Sequence, residues 1–323
     1  MAANTPNISD ILTEFGPHKG TRAKEIFTAI MKDSNIERYM THVPNVDGGL
    51  YEMLYSYMES VLQPFQIEFT PKGTLRFVPN KINMRRAKVD NEFTVDELVN
   101  GWMSFLTTEG ADRKTWPITK WIVKMIGEKA MEEHGEIAVN GAYAAFTPGT
   151  AGPYLSISDG LLKWLNDFET ADDGVNLISI GNLDTDPYLK VHTFIRSMTK
   201  AELRACGNQI FLSTDLVDAV ADDYVDSNPN REIKWLGNPQ EDHMIEMPNT
   251  GKVKLIGVEG MGDSKRIWAT PKKNMVKIYN RLKGLSNFEL EKAKRKLAVM
   301  GDYSFAHGFG FKELVFTNDA QAV

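Results

Sequence analysis

The side chains of this 323-residue chain best suited to metal or nucleophilic chemistry are six histidines, one cysteine and two short aspartate runs. The histidines (His18, His42, His134, His192, His243 and His307) lie far apart, and no two share the i, i+4 spacing of a zinc helix. The expectation is that they do not converge. Cys206 is the only cysteine, which excludes an internal disulfide and a cysteine-based zinc site. It precedes the apolar run Asn208–Ser213, so a small buried hydrophobe is expected there before a reactive thiol. Asp184-Thr185-Asp186 and Asp222-Asp223-Tyr224-Val225-Asp226 offer oxygen ligands for a hard cation. Tyr224 stands where a calcium loop needs a ligand, and the later Gly and Glu are missing, so solvated acids are expected. Gly257, Gly260 and Gly262 are spaced GxxGxG, which fits a turn between strands and not a dinucleotide site. A phosphate loop, a Gly-x-Ser-x-Gly elbow and a His-Glu-x-x-His helix are all absent from the sequence. The reading is therefore no enzyme, no cofactor and no metal.

Apolar residues make up 42% and charged residues 25% of the chain, an ordinary globular composition. No apolar run reaches the roughly 18 residues a membrane helix needs, and the first residues lack a secretory signal pattern. The expected setting is a reducing cytoplasm. The net charge of −6 is unevenly distributed. Residues 70–90 hold six basic side chains against one acid, residues 213–246 nine acids against two bases, and residues 264–296 eleven bases against two acids. Such blocks suit pairing between copies of one chain, though solvated faces of separate elements explain them equally well. Arg85, Arg86 and Lys88 near Phe77 and Phe93 could suit single-stranded nucleic acid. The alternating Phe65, Phe69, Leu75 and Phe77 more simply form one face of a hairpin, and a pI near 5.6 argues against a dedicated nucleic-acid binder.

The elements that position these residues follow from periodicity. A polar arm and a short helix after Thr21 open the chain. A second helix is expected over 50–62, from Leu54, Tyr57, Met58 and Val61. The period then falls to two: Phe65, Ile67 and Phe69 alternate, Pro71-Lys72-Gly73 turns the chain, and Leu75 and Phe77 alternate back, continuing through Ile82 and Met84 into Arg85-Arg86. Two strands alone are marginal in water, so this basic hairpin needs another surface to lie on. Helices are expected from Thr94 to Leu106 and from Thr115, through Ile118, Ile122 and Ile126, to Gly135. Alternating helices and strands follow over 160–225, with Ser213 or Thr214 as an N-cap, and strands dominate after Val253.

This order of parts resembles the major capsid proteins of tailed bacteriophages, the Hong Kong 97-type fold. Locally, Gly257–Met261 with Ile267–Asn274 (IWATPKKN), Gly301–Val315 and Ile210–Tyr224 are similar to segments of that family, although Ser213-Thr214 stands where proline is frequent. The resemblance implies an α+β fold with an N-terminal arm and short helices over 1–64 and an E-loop hairpin over 65–92. It further implies P-domain parts over 93–152, including a long spine helix, an α/β A-domain over 153–248, and closing P-domain strands over 249–323. It implies a structural subunit that self-assembles as pentamers and hexamers into an icosahedral virion shell, built in the host cytoplasm. Possible partners are scaffolding, portal and decoration proteins, and packaged DNA held by non-specific contact. The E-loop residues Phe69, Lys72, Gly73, Arg76, Arg85, Arg86 and Lys88 are then expected at subunit interfaces, with Asp222, Asp223 and Asp226 of the A-domain. Like charges gathered there would make assembly sensitive to salt and divalent cations. Some family members join an E-loop lysine to an asparagine of another subunit. Lys72 with Asn274 or Asn280 fits that pattern, although an ordinary surface lysine is expected. The rival readings are an encapsulin-like nanocompartment shell and a cytoplasmic α/β enzyme.

Overall fold

The computed structural model describes residues 34–46, 49–58, 60–108, 110, 118–170, 175–181, 183–229, 231–236, 243–280, 289–293 and 296–319. The helix expected after Thr21 and Thr115, the expected start of the long helix, lie outside them.

A mixed sheet forms the body. Strand β13 (Lys296–Phe309) is its centre, pairing antiparallel with β4 (Arg85–Thr94), β12 (Glu289–Ala293) and β11 (Met275–Tyr279); β1 (Thr41–Pro44) adds parallel to β11. Val299, Tyr303, Phe305 and Phe309, with the lack of proline, suit fourteen residues of unbroken strand. Across this sheet lie α1 (Val95–Thr108) and the spine helix α2 (Ile118–Asn140). The spine has 23 residues, so at 1.5 Å per residue it is roughly 34 Å long. Leu98, Trp102, Ile122 and Ile126 from the helices bury with Leu297, Val299 and Phe305 from β13.

The second body is a seven-stranded sheet ordered β5-β14-β10-β6-β9-β8-β7. Its strands are β5 (Asn176–Ile178), β6 (Gln209–Ser213), β7 (Lys234–Leu236), β8 (Met244–Glu246), β9 (Lys254–Val258), β10 (Trp268–Ala269) and β14 (Phe316–Asn318). Helices α3 (Leu161–Thr170), α4 (Pro187–Ser197), α5 (Lys200–Ala205) and α6 (Thr214–Ser227) accompany it. Ser213 ends β6 and caps α6 by accepting from the Leu216 amide, as expected. Helices α4 and α5 are separate, because Thr199 starts a new one with a capping box to Glu202. Gly260 and Gly262 have φ of +83° and +52° in the turn after β9, as the strand-turn reading requires.

The main correction concerns residues 50–86. Residues 50–58 are not a helix but strand β2 (Leu50–Met58), paired antiparallel with β3 (Leu75–Asn83) from Leu50↔Asn83 to Met58↔Leu75. Tyr51 and Met53 are half-buried while Glu52, Leu54 and Ser56 are exposed, so a period of two prevails over the helical spacing. Aromatic residues at 51, 55 and 57 favour the pleated surface. Phe65, Ile67 and Phe69 are not strand but part of the irregular connection 60–74. The hairpin thus starts earlier than expected and ends at Asn83. Arg85, Arg86 and Lys88 belong to β4, which pairs with β13 in the body sheet.

Candidate functional site

The base of the hairpin is bolted to the body. Asn80 on β3 donates its amide to the carbonyls of Phe309 (2.8 Å) and Gly310 (2.7 Å). Ile82 buries with Val276, Ile278 and Ala306. The Met53 side chain of β2 packs directly on Gly310, where a Cβ would stand 2.6 Å from its sulfur.

The tip is different. Phe65, Ile67 and Phe69 are 95%, 96% and 93% exposed, and Leu62 is 86% exposed. Polar contacts hold the loop on itself: Gln63 donates to the Thr70 carbonyl at 2.8 Å, and the Lys72 ammonium donates to the Leu62 carbonyl at 2.6 Å. Gly73 has φ +96°, a conformation that favours glycine. Four large apolar side chains are thus left in water within one short loop.

Of the residues expected at an interface, Phe69, Lys72 and Gly73 sit in this loop, and Arg76 lies on β3 opposite Tyr57. Arg85, Arg86 and Lys88 are engaged within the chain instead. Arg85 lies 3.6 Å over the Tyr143 ring, Arg86 pairs with Asp302, and Lys88 pairs with Asp90 at 2.5 Å. Asp222 and Asp226 are exposed on α6, and Asp223 accepts from the Tyr188 amide at 2.9 Å. The basic tract at 264–296 is also partly consumed: Arg266 is buried against Glu169 and Asn166, and Lys296 pairs with Glu92.

Asn274 and Asn280 are both buried, which the crosslinking pattern does not allow for. Asn274 donates to Thr270 and to the Phe311 carbonyl, both at 2.8 Å, and accepts from the Phe311 amide at 2.7 Å. A lysine from another copy has no path to it without unpacking the subunit. Cys206 is buried, and burial pushes its thiol up to about 12, in keeping with an inert hydrophobe.

The histidines depart from expectation. His134 of the spine helix and His307 of β13 converge on Glu37, which sits in a single 3-10 turn (Ile36–Tyr39) before β1. The glutamate, both histidines and Lys277 of β11 are all buried. No local spacing announces this cluster, because Glu37, His134 and His307 are separated from one another by about a hundred residues or more. Donor atoms of Glu37, His134 and His307 lie within 4.8 Å of one another, the one such group among the described residues. A divalent cation there would face the Lys277 ammonium with a single carboxylate for compensation. Lys277 already supplies the balancing charge, 3.0 Å from the other carboxylate oxygen, so the cluster reads as a buried ion pair with two imidazoles.

The groove between α1 and α2, about 350 Å³, is lined by Phe105, Trp121 and Met125 with the charged side chains Lys124, Glu128, Lys129 and Glu132.

No family model and no curated protein matches the chain by sequence. Solved structures match by shape. The satellite phage P4 procapsid, including its size determination (Sid) protein, aligns with a TM-score of 0.57 at 11% identity, over 98% of this chain and 92% of that one. The capsids of empty and native GTA particles align at 0.53 and 0.50, each at 11% identity over 90% of this chain and 92% of theirs. The class is therefore set by architecture: an α+β chain with the fold of phage major capsid proteins. Within that class it is the Hong Kong 97-type arrangement of projecting hairpin, spine helix, body sheet and α/β domain.

Proposed function

We propose that the chain is the structural subunit of a closed virion shell, and that loop 60–74 is the part each copy lays on the next. The observation that carries this is the near-complete exposure of Phe65, Ile67 and Phe69 at the tip of an anchored hairpin, in a chain with the capsid fold. Three large apolar side chains left in water would each forfeit roughly 1.5–3 kcal/mol that burial against a neighbour returns.

In this reading the copies gather as pentamers and hexamers. The hairpin 50–83 and its loop act as the E-loop, and α6 with Asp222 and Asp226 lies towards the capsomer centre. Like charges there make assembly respond to ionic strength. Scaffolding, portal or decoration proteins and packaged DNA are its further partners, the DNA held without sequence preference.

Negative-stain microscopy and size-exclusion chromatography of the purified chain test this. Large closed shells support it, and a discrete small oligomer that never closes overturns it. The contents decide between a virion and an encapsulin-like compartment: nucleic acid supports the virion reading, whereas small shells filled with cargo protein reject it.

A further inference from the structure

We propose that Glu37, His134, Lys277 and His307 form an acid-released latch that pins residues 34–44 to the spine helix and the body sheet. Four elements meet on one carboxylate. Its Oε1 lies 2.7 Å from His307 Nε2 on β13 and 3.0 Å from His134 Nδ1 on α2. Its Oε2 accepts from the Ser34 amide at 2.9 Å and lies 3.0 Å from the Lys277 ammonium on β11. His42 of β1 approaches the Glu37 carbonyl at 3.2 Å, and β1 then runs along β11. Tyr303 of β13 faces His134 from 6.5 Å, and Phe305 from 4.3 Å. Glu133, beside His134 on α2, acts on Tyr303 only from a distance, as a charge that with burial raises its phenol.

Charge decides how this box responds to protons. Glu37 and Lys277 cancel in a site buried from solvent. His307 Nδ1 and His134 Nε2 have no hydrogen-bond partner there, so a proton added to either would be buried without an acceptor. Burial pushes His307 down to about 4, against the hydrogen bond and charge of Glu37, which pull it up. Burial also pushes the Glu37 carboxyl up, but the charges and hydrogen bonds of His134 and His307 outweigh this and hold it well below the usual carboxylate range. The nearby Lys277 ammonium acts in the same direction.

The sign follows from linkage. A freed His307 takes a proton at its ordinary value of 6.5, and the latched one only near 4. The latch is therefore fully closed above about 6.5 and weakens as pH falls from 6.5 to 4. Below the ordinary carboxylate value Glu37 weakens it further. Between pH 7.5 and pH 5 the His307 difference alone multiplies the open population by about 30.

Hydrogen exchange of the full chain reads this directly on the subunit, so failure to form shells would leave the result intact. After correction for intrinsic rates, amides of residues 34–43 lose about 30-fold in protection between pH 7.5 and pH 5, while β6 keeps its own. Equal protection at both pH values overturns the latch. The variant His307→Gln keeps an N–H for Glu37 but cannot titrate at this position, and its fall in protection over this range is expected to be well below the wild-type fall of about 30-fold; the full wild-type fall persisting in it overturns the proposal. Should that variant fold poorly, C2-proton exchange of His307 in the wild-type chain decides instead. A midpoint near 4 supports the latch, and one near the ordinary 6.5 rejects it.

Discussion

Gly160 donates its amide to the carbonyl of Gly141 at 2.8 Å, and neither residue has room for a side chain. A Cβ on Gly141 would stand 2.2 Å from the Ser158 carbonyl oxygen, and one on Gly160 would stand 2.5 Å from that of Ile137. The end of the spine helix and the start of α3 therefore touch backbone to backbone. Beside this contact, Ala138 and Val139 of the spine and Leu161 and Leu165 of α3 share one core with Phe211, Ile256 and Trp268 of the seven-stranded sheet.

Because the obstructing atoms are backbone, Gly141→Ala and Gly160→Ala are each expected to cost about 3 kcal/mol or more in denaturant unfolding. Gly152→Ala, with only the Ser156 hydroxyl 3.7 Å away, should change stability by roughly 0.5 kcal/mol or less. Equal effects at all three positions would contradict the contact.

Removing the Glu37 charge strands Lys277 in the core. Glu37→Gln is expected to lose about 3–5 kcal/mol, and adding Lys277→Met should recover part of that loss. A double variant no more stable than Glu37→Gln alone would show that the pair is not coupled.

Covalent crosslinking through Lys72 is not expected, since Asn274 is buried with its amide oxygen and nitrogen both engaged. Particles boiled in detergent should run as a single monomer band on a denaturing gel. A ladder of multimers that Lys72→Arg abolishes would contradict this.

Much of the architecture was legible because its signals are local. Ser213 caps α6, Met275–Tyr279 is a strand, and the apolar residues of the spine recur at helical spacing. Segment 50–58 was not, since Leu54, Tyr57 and Met58 fit a helical face, and the partner that makes it a strand begins seventeen residues beyond its end at Leu75. The exposed tip departs from its pattern for a related reason: alternation at Phe65, Ile67 and Phe69 signals a strand only when a surface lies beneath it, and within one copy these side chains have none. Arg85 and Arg86 looked continuous with the hairpin, yet pairing to Ser304 and Phe305 far along the chain claims them for the body. The Glu37 cluster carried no sequence signal, because its geometry exists only after four distant elements pack.

The account rests on loop 60–74 being an assembly contact, and the most direct test compares the wild-type chain with Phe65→Ser/Ile67→Ser/Phe69→Ser by negative-stain microscopy. These side chains touch so little of their own subunit that the variant should unfold with wild-type stability. The prediction is closed shells from the wild-type chain and only folded, unassembled subunits or small oligomers from the variant. Shells from the variant at wild-type yield would contradict it.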